Sequence, residues 1–252
     1  MEAFVQKGEF GMTEIRCVNT GSSGNGYIVK SGGEILILEL GCKFMDYLEY
    51  VENLLEIVGC ICSHAHGDHL NPSTAKEFIR RGIRVWVGDD VAKDVTIEYF
   101  FLLMLGRNTK IGGFIILPFK APHNVKNYGF LIITPTNERI LFLTDTTGVN
   151  LRFRDIDCIL VECNHDDDTL LDNLDQHEVS MSHPEYHMGL DTCKKFCKEN
   201  ISASTKQIVL IHMSHANLNE QHAIDTIKEY CNFDNVAVAH KGDTFKIESD
   251  DF

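Results

Sequence analysis

The chain has 252 residues, 44% hydrophobic and 24% charged, with a formal net charge of −14. That length suits one domain with a full core, and the acidic excess argues against gripping a long polyanion, which takes a basic face. No apolar run approaches the ~20 residues of a membrane span.

The N-terminal stretch MEAFVQKGEFGMTEIRC lacks the basic-then-apolar pattern of a secretory signal. Its neighbours Glu14–Thr20, Gly26–Lys30 and Glu34–Leu40 read as three strands broken by the turns GSSGNG and SGG. Phe44–Leu55 reads as a helix and Ile57–Cys62 as a buried strand. Asn71 and Pro72 open a second helix, since Asn caps and Pro tolerates the first turn; Gly82 ends it. Strands follow at Arg84–Val87, Phe114–Phe119, Tyr128–Thr134 and Ile140–Thr144. The intervening VTIEYFFLLMLGRNTKIGG reads as a core helix or as part of a lid. Cys158–Val161 and Gln207–Ile211 are short apolar strands, and Glu185–Glu199 and Asn219–Tyr230 read as helices. The strip HDDDTLLDNLDQHEVSMSHPEYH has little periodicity and reads as a solvated loop. Val236–His240 and Thr244–Ile247 close the chain as a hairpin. No repeat or linker divides residues 1–252, so one domain is expected. Nine cysteines, an odd number without a C-x-x-C pair, exclude a disulfide framework and a zinc ribbon and point to a reducing cytoplasm.

The segment SHAHGDHL, Ser63 to Leu70, packs three histidines and an aspartate into six residues. Residues two apart in an extended loop point the same way, so His64 and His66 suit one metal. Asp68 and His69, beyond the turn at Gly67, suit a second. Imidazole and carboxylate are ordinary zinc ligands, but two metals need more of them. His123, Asp145 and His212 each lie at or just past the end of an apolar strand, as His64 does, and complete the candidate set.

This H-x-H-x-D-H motif, followed by an isolated His, Asp and His at strand ends, resembles the metallo-β-lactamase fold superfamily. The ribonuclease Z-like branch is the nearer likeness, through PHNVKNYGFLI, LFLTDT and LIHMS; NTGSSGNGYIV, VECNHD and YHMGLDTCKKF resemble its small single-domain hydrolases and nucleases. The likeness runs from about Ile15 to Ile247. It implies an α/β chain folded as a four-layer αβ/βα sandwich. It also implies two divalent ions, zinc being the expected metal: one on His64, His66 and His123, the other on Asp68, His69 and His212, with Asp145 bridging. Asp68 would orient or deprotonate the attacking water. His187 resembles the family's non-ligand proton donor, with His183 as the alternative, and Glu162 would hold that imidazole. Glu39 stands where the family carries an aspartate that supports the metal loop. The fold also places the TGSSGNG turn near the site, where Ser22, Ser23 and Asn25 would offer donors to substrate. His165 and His215 lie close to site segments without an assigned role; His177, His222 and His240 read as surface residues.

The leading functional expectation is a phosphodiesterase on small cyclic nucleotides, through a likeness to phage anti-Pycsar enzymes that open cyclic mononucleotides. A phage-encoded copy would act in the host cytoplasm. The alternative is a single-strand exonuclease or ribonuclease of the same fold; hydrolysis of a lactone, thioester or β-lactam ranks below both. A metal-stabilised binding protein is the non-enzymatic reading. The expected partners are a small nucleotide and a second copy in a homodimer, with no membrane and no long nucleic acid.

Overall fold

The computed structural model describes residues 12–95, 97–175 and 184–248. Strands β1 (Met12–Asn19), β2 (Gly26–Ser31) and β3 (Glu34–Leu38) form an antiparallel meander. Helix α1 (Phe44–Leu48) then leads to β4 (Ile57–Cys62), and α2 (Pro72–Arg80) to β5 (Val85–Gly88) and β6 (Phe101–Leu103), all parallel to β3. The second half repeats the plan. Antiparallel β7 (Thr109–Ile111), β8 (Phe114–Lys120), β9 (Tyr128–Ile133) and β10 (Arg139–Leu143) precede parallel β11 (Cys158–Glu162), β12 (Gln207–Ile211) and β13 (Val236–Val238). Helices α3 (Asp167–Asp175), α4 (Leu190–Asn200) and α5 (Glu220–Cys231) belong to this half. The last strand, β14 (Thr244–Glu248), returns to pair with β1. The sheet orders are β14-β1-β2-β3-β4-β5-β6 and β13-β12-β11-β10-β9-β8-β7.

Strand alternation decides where each side chain goes. On β10, β11 and β12, Ile140, Phe142, Cys158, Leu160, Val209 and Ile211 enter a core shared with Ile15, Val29 and Ile37 of the first sheet. Their neighbours Leu141, Leu143, Ile159, Val161, Ile208 and Leu210 pack with Phe196 of α4 and Ile227 of α5. Both faces of the second sheet are therefore covered, which makes an αβ/βα sandwich. Phe142 sits midway, edge-on to Tyr27 at 5.5 Å and stacked on Phe130 at 6.5 Å.

Five expectations from sequence are corrected. The helix from Phe44 stops at Leu48, and a separate 3-10 turn at Leu54–Glu56 is capped by Asn53, whose side chain accepts from Leu55 N at 3.0 Å. The apparent helical period misled because Met45 and Leu55 face solvent. The apolar run after Val95 holds edge strand β6 in place of a helix, and Gly106 N donates to Pro118 O at 3.0 Å as the chain crosses between sheets. The acidic strip begins with a helix, α3: Asp166 accepts from Thr169 N at 3.2 Å, and Asp167 and Asp168 lie in the first turn, where negative charge complements the helix dipole. The last two strands are not a hairpin. β13 lies in one sheet and β14 in the other, because the turn between them is tied to β1, with Cys17 N donating to Asp243 O and Gly242 N to Cys17 O. The helix expected from Glu185 also starts later, at Leu190, for a reason that lies in the site.

Candidate metal centre

The ligand candidates stand on the loops that leave β4, β8, β10 and β12, and these loops meet on one side of the sandwich. Three of these residues turn the chain sharply: Glu39, Asp145 and His212 have φ of 62°, 49° and 53°. Non-glycine residues rarely adopt this left-handed region, and such strain gathers at functional sites. Gly41 is forced by a close approach of a different kind. A Cβ there would stand 1.7 Å from the carbonyl oxygen of Asp68, so only glycine lets the loop after β3 lie against the H-x-H-x-D-H loop.

Seven side chains converge. One donor atom each from His64, His66, His123 and Asp145 lie within 4.8 Å of one another, as do those of Asp68, His69, Asp145 and His212. Asp145 belongs to both groups, with Oδ1 3.2 Å from His69 Nε2 and 3.5 Å from His212 Nε2, and Oδ2 3.8 Å from His64 Nε2. Every expected ligand is thus brought together, and Asp145 occupies the shared position. A third group joins Asp145 and His212 to Glu162 and His187.

The surroundings fit a positive charge in the middle. His212 Nε2 is buried and has no hydrogen-bond partner, although the carboxylates of Asp68 and Asp145 stand 3.9 and 3.5 Å away. Burial opposes charge on Asp145, yet the imidazoles of His212 and His69 hold its carboxyl well below the usual range. Burial likewise opposes charge on His212, but Asp145, Asp68 and Glu162 push its imidazole up to about 10. His64 and His123 go the other way: burial keeps both below the ordinary histidine value. A buried carboxylate facing four imidazoles therefore asks for cations, supplied either by protons on the rings or by divalent metals. The donor set of imidazole and carboxylate suits the latter.

Other contacts aim the ligands. His64 Nδ1 pairs with Ser63 Oγ at 2.9 Å, His123 Nδ1 donates to Tyr186 O at 3.0 Å, and His212 Nδ1 donates to Glu162 Oε1 at 3.2 Å. Such partners fix which ring nitrogen faces a metal. Glu39 is fully buried; it accepts from Ser63 N at 3.1 Å and lies 3.4 Å from His69 Nδ1. The longer side chain reaches both the loop amide and the histidine.

Glu162 does more than sequence suggested. Its Oε1 accepts from His187 Nδ1 at 2.5 Å as well as from His212, while Oε2 accepts from Thr146 N at 2.9 Å and Met188 N at 3.2 Å. The last contact explains the late start of α4: Met188 is tied to β11 and to the chain that leaves it, with Asn164 N donating to Met188 O. Burial works against charge on His187, but Glu162 raises its imidazole above the usual value. His187 lines a cavity of about 240 Å³ with His66, Asp68, His123, Asp145 and His212.

Other residues are sorted by place. Ser22 lines the metal-side cavity, and Ser22 and Ser23 line a neighbouring one. Asn25, expected to offer a donor to substrate, is fully buried and spent inside the protein: its side chain accepts from Gly21 N at 2.9 Å and donates to Gly21 O at 3.0 Å. It ties the glycine turn to the metal loop, where its Nδ2 lies 2.9 Å from His69 Nε2. His165 is buried beside Asp167 and outside the cluster. His215 and His240 are exposed and share Glu220; His177 and His183 lie outside the described residues. Asn164, whose Nδ2 donates to His212 O at 3.0 Å, had no assigned role in the sequence reading. Its place two residues after Glu162, in VECNHD, was the available signal.

The model of the beta-lactamase superfamily domain matches residues 47–213, more than half of the chain. The sequence matches no curated protein. Among solved structures, the metallo-beta-lactamase fold protein YhfI of Bacillus subtilis is 17% identical, with a TM-score of 0.71 over 93% of this chain and 99% of that one. Zinc-bound PqqB of Methylobacterium extorquens is 12% identical, with a TM-score of 0.70 over 92% and 99%. The short form of human tRNase Z is 15% identical, with a TM-score of 0.59 over 93% and 99%.

Proposed function

The chain belongs to the beta-lactamase superfamily, and from that premise we propose that it is a dinuclear metal-dependent phosphodiesterase that opens small cyclic nucleotides to linear monophosphates. The observation that carries this reading is the His187–Glu162 pair, 2.5 Å apart, on the wall of the cavity that holds the seven-residue cluster. An alkoxide leaving a phosphodiester needs a proton, and a carboxylate-held imidazole beside the cluster is placed to give one.

His64, His66, His123 and Asp145 would hold one divalent ion, and Asp68, His69, His212 and Asp145 the other, with zinc the expected metal. Two ions held there would supply hydroxide at neutral pH and neutralise charge on the phosphoryl oxygens. Asp68, partly open to the cavity, orients the attacking water. Glu162 keeps His187 protonated and aimed, and Asn164 and Thr20 fix the backbone of His212, whose N–H donates to Thr20 Oγ1 at 2.9 Å.

A net charge of −14 supports a small substrate over a strand. On this reading a phage-encoded copy acts in the host cytoplasm against a cyclic-nucleotide alarm. A homodimer is part of the proposal, and sedimentation of the metal-loaded protein tests it; a monomer at micromolar concentration removes it. Activity is tested with metal-loaded protein on cyclic mononucleotides, single-stranded RNA and DNA, lactones and thioesters. Ring opening to the linear monophosphate supports the proposal. Efficient strand degradation without ring opening replaces it with the nuclease reading.

A further inference from the structure

The metal-side cavity opens sideways. Gly21, Ser22, Met213 and Ser214 border it and also border a second cavity of about 440 Å³. Added to the first, of about 240 Å³, it brings the cleft into the range of ~300–1,000 Å³ typical of small-molecule sites. We propose that this side cavity is the subsite for the nucleobase of a nucleotide whose phosphodiester sits at the metal cluster. The inference rests on the phosphodiesterase reading above.

The lining favours a planar, polar-edged ring. Ala216 and Ala239 end at Cβ and, with Met213, give the cavity its apolar surface, while Ser22, Ser23 and Lys241 bring hydroxyls and a cation. The charges at the rim are mostly spoken for. Glu220 takes up His215 at 3.2 Å and His240 at 3.0 Å, and Asp243 lies 3.2 Å from the other nitrogen of His240. Lys241 is left without a carboxylate partner among the described residues. One unpaired ammonium suits an acceptor on the edge of a base. A run of backbone phosphates would call for several cations along its path, and this cavity offers one lysine. The order of the parts matches a nucleotide: the cluster takes the phosphate, the Ser22–Ser214 boundary faces the sugar, and the side cavity takes the base.

The test compares two substrates on the metal-loaded protein: a 3′,5′-cyclic mononucleotide, and methyl riboside 3′,5′-cyclic phosphate, the same ring diester with a methoxy group in place of the base. Ala216→Trp fills the cavity from an exposed position. It is expected to raise KM for the cyclic nucleotide roughly tenfold or more with kcat little changed, the signature of lost uniform binding, and to leave the baseless diester within about twofold. Lys241→Ala is expected to shift the same KM in the same direction by a smaller factor. Equal losses on both substrates, or no change on either, overturn the subsite. Should the wild-type protein cleave the baseless diester yet open no cyclic nucleotide, the cyclic-nucleotide reading and the subsite fall together. Ring opening that Ala216→Trp leaves untouched removes the subsite alone.

Discussion

At the scale of single residues, the sharpest test is the separation of metal holding from proton delivery. His187→Ala removes a ring that Glu162 orients but leaves both four-residue donor groups around Asp145 whole. Metal content should stay unchanged while kcat on a phosphodiester drops by roughly 10²–10⁴-fold, the usual worth of a general acid or base; wild-type turnover would hand the role to His183 or to solvent. Glu162→Gln should behave differently, because the same carboxylate also holds His212. There the metal itself should bind about 10–100-fold more weakly, as when other oriented ligands lose their supports, and titration with a chelator reads that loss. The converging histidines and aspartates were legible as candidates because they cluster in one motif and recur at strand ends. The double duty of Glu162 was not, since nothing in VECNHD says that one carboxylate meets two histidines and two backbone amides. Asn25 was misjudged for a related reason: a polar residue in a glycine turn looks available, and only the fold shows its amide consumed by Gly21.

Between elements, the two sheets are joined by a buried polar knot. Glu138 accepts from the hydroxyls of Thr13, Thr134 and Thr136, and Ser31 of β2 bonds to Thr13 and Thr136. Burial alone would raise the Glu138 carboxyl, but the hydroxyls outweigh it and hold its pKa below the ordinary value. A carboxyl depressed on folding stabilises the protein above its unfolded pKa, and that stability is lost as pH falls through the folded value. Thermal melts of the wild type between pH 6 and about pH 3 should therefore fall more steeply than those of Glu138→Gln; parallel curves would deny the knot a role. In the apolar core, Phe142→Ala should cost about 3–5 kcal/mol, because Tyr27 and Phe130 are held in opposed sheets and close the gap only in part. Most strands were legible from alternating or continuous apolar runs. The failures came where a local pattern was overruled from a distance: Met188 N bonded to Glu162, and the final turn bonded to Cys17. Chain-local periodicity carries no trace of either.

For the whole molecule, the candidate ligands are divided between the two halves. His64, His66, Asp68 and His69 hang from the first sheet, while His123, Asp145 and His212 hang from the second. Whatever binds there clasps one half to the other as well as serving chemistry. In thermodynamic terms the metal is a ligand of the folded state, and it stabilises that state by RT ln(1 + [M]/Kd), about 4 kcal/mol when free metal stands a thousandfold above Kd. Stripping it with a chelator should lower Tm by several degrees and expose the chain to limited proteolysis, and restoring the metal should reverse both. Acid should act in the same direction, since protons on His212, pushed up to about 10 without metal, compete for the same nitrogen. The supply of free metal in a cell would then govern how long each copy survives as well as how fast it turns over, so that a copy starved of the ion is at once silent and open to degradation.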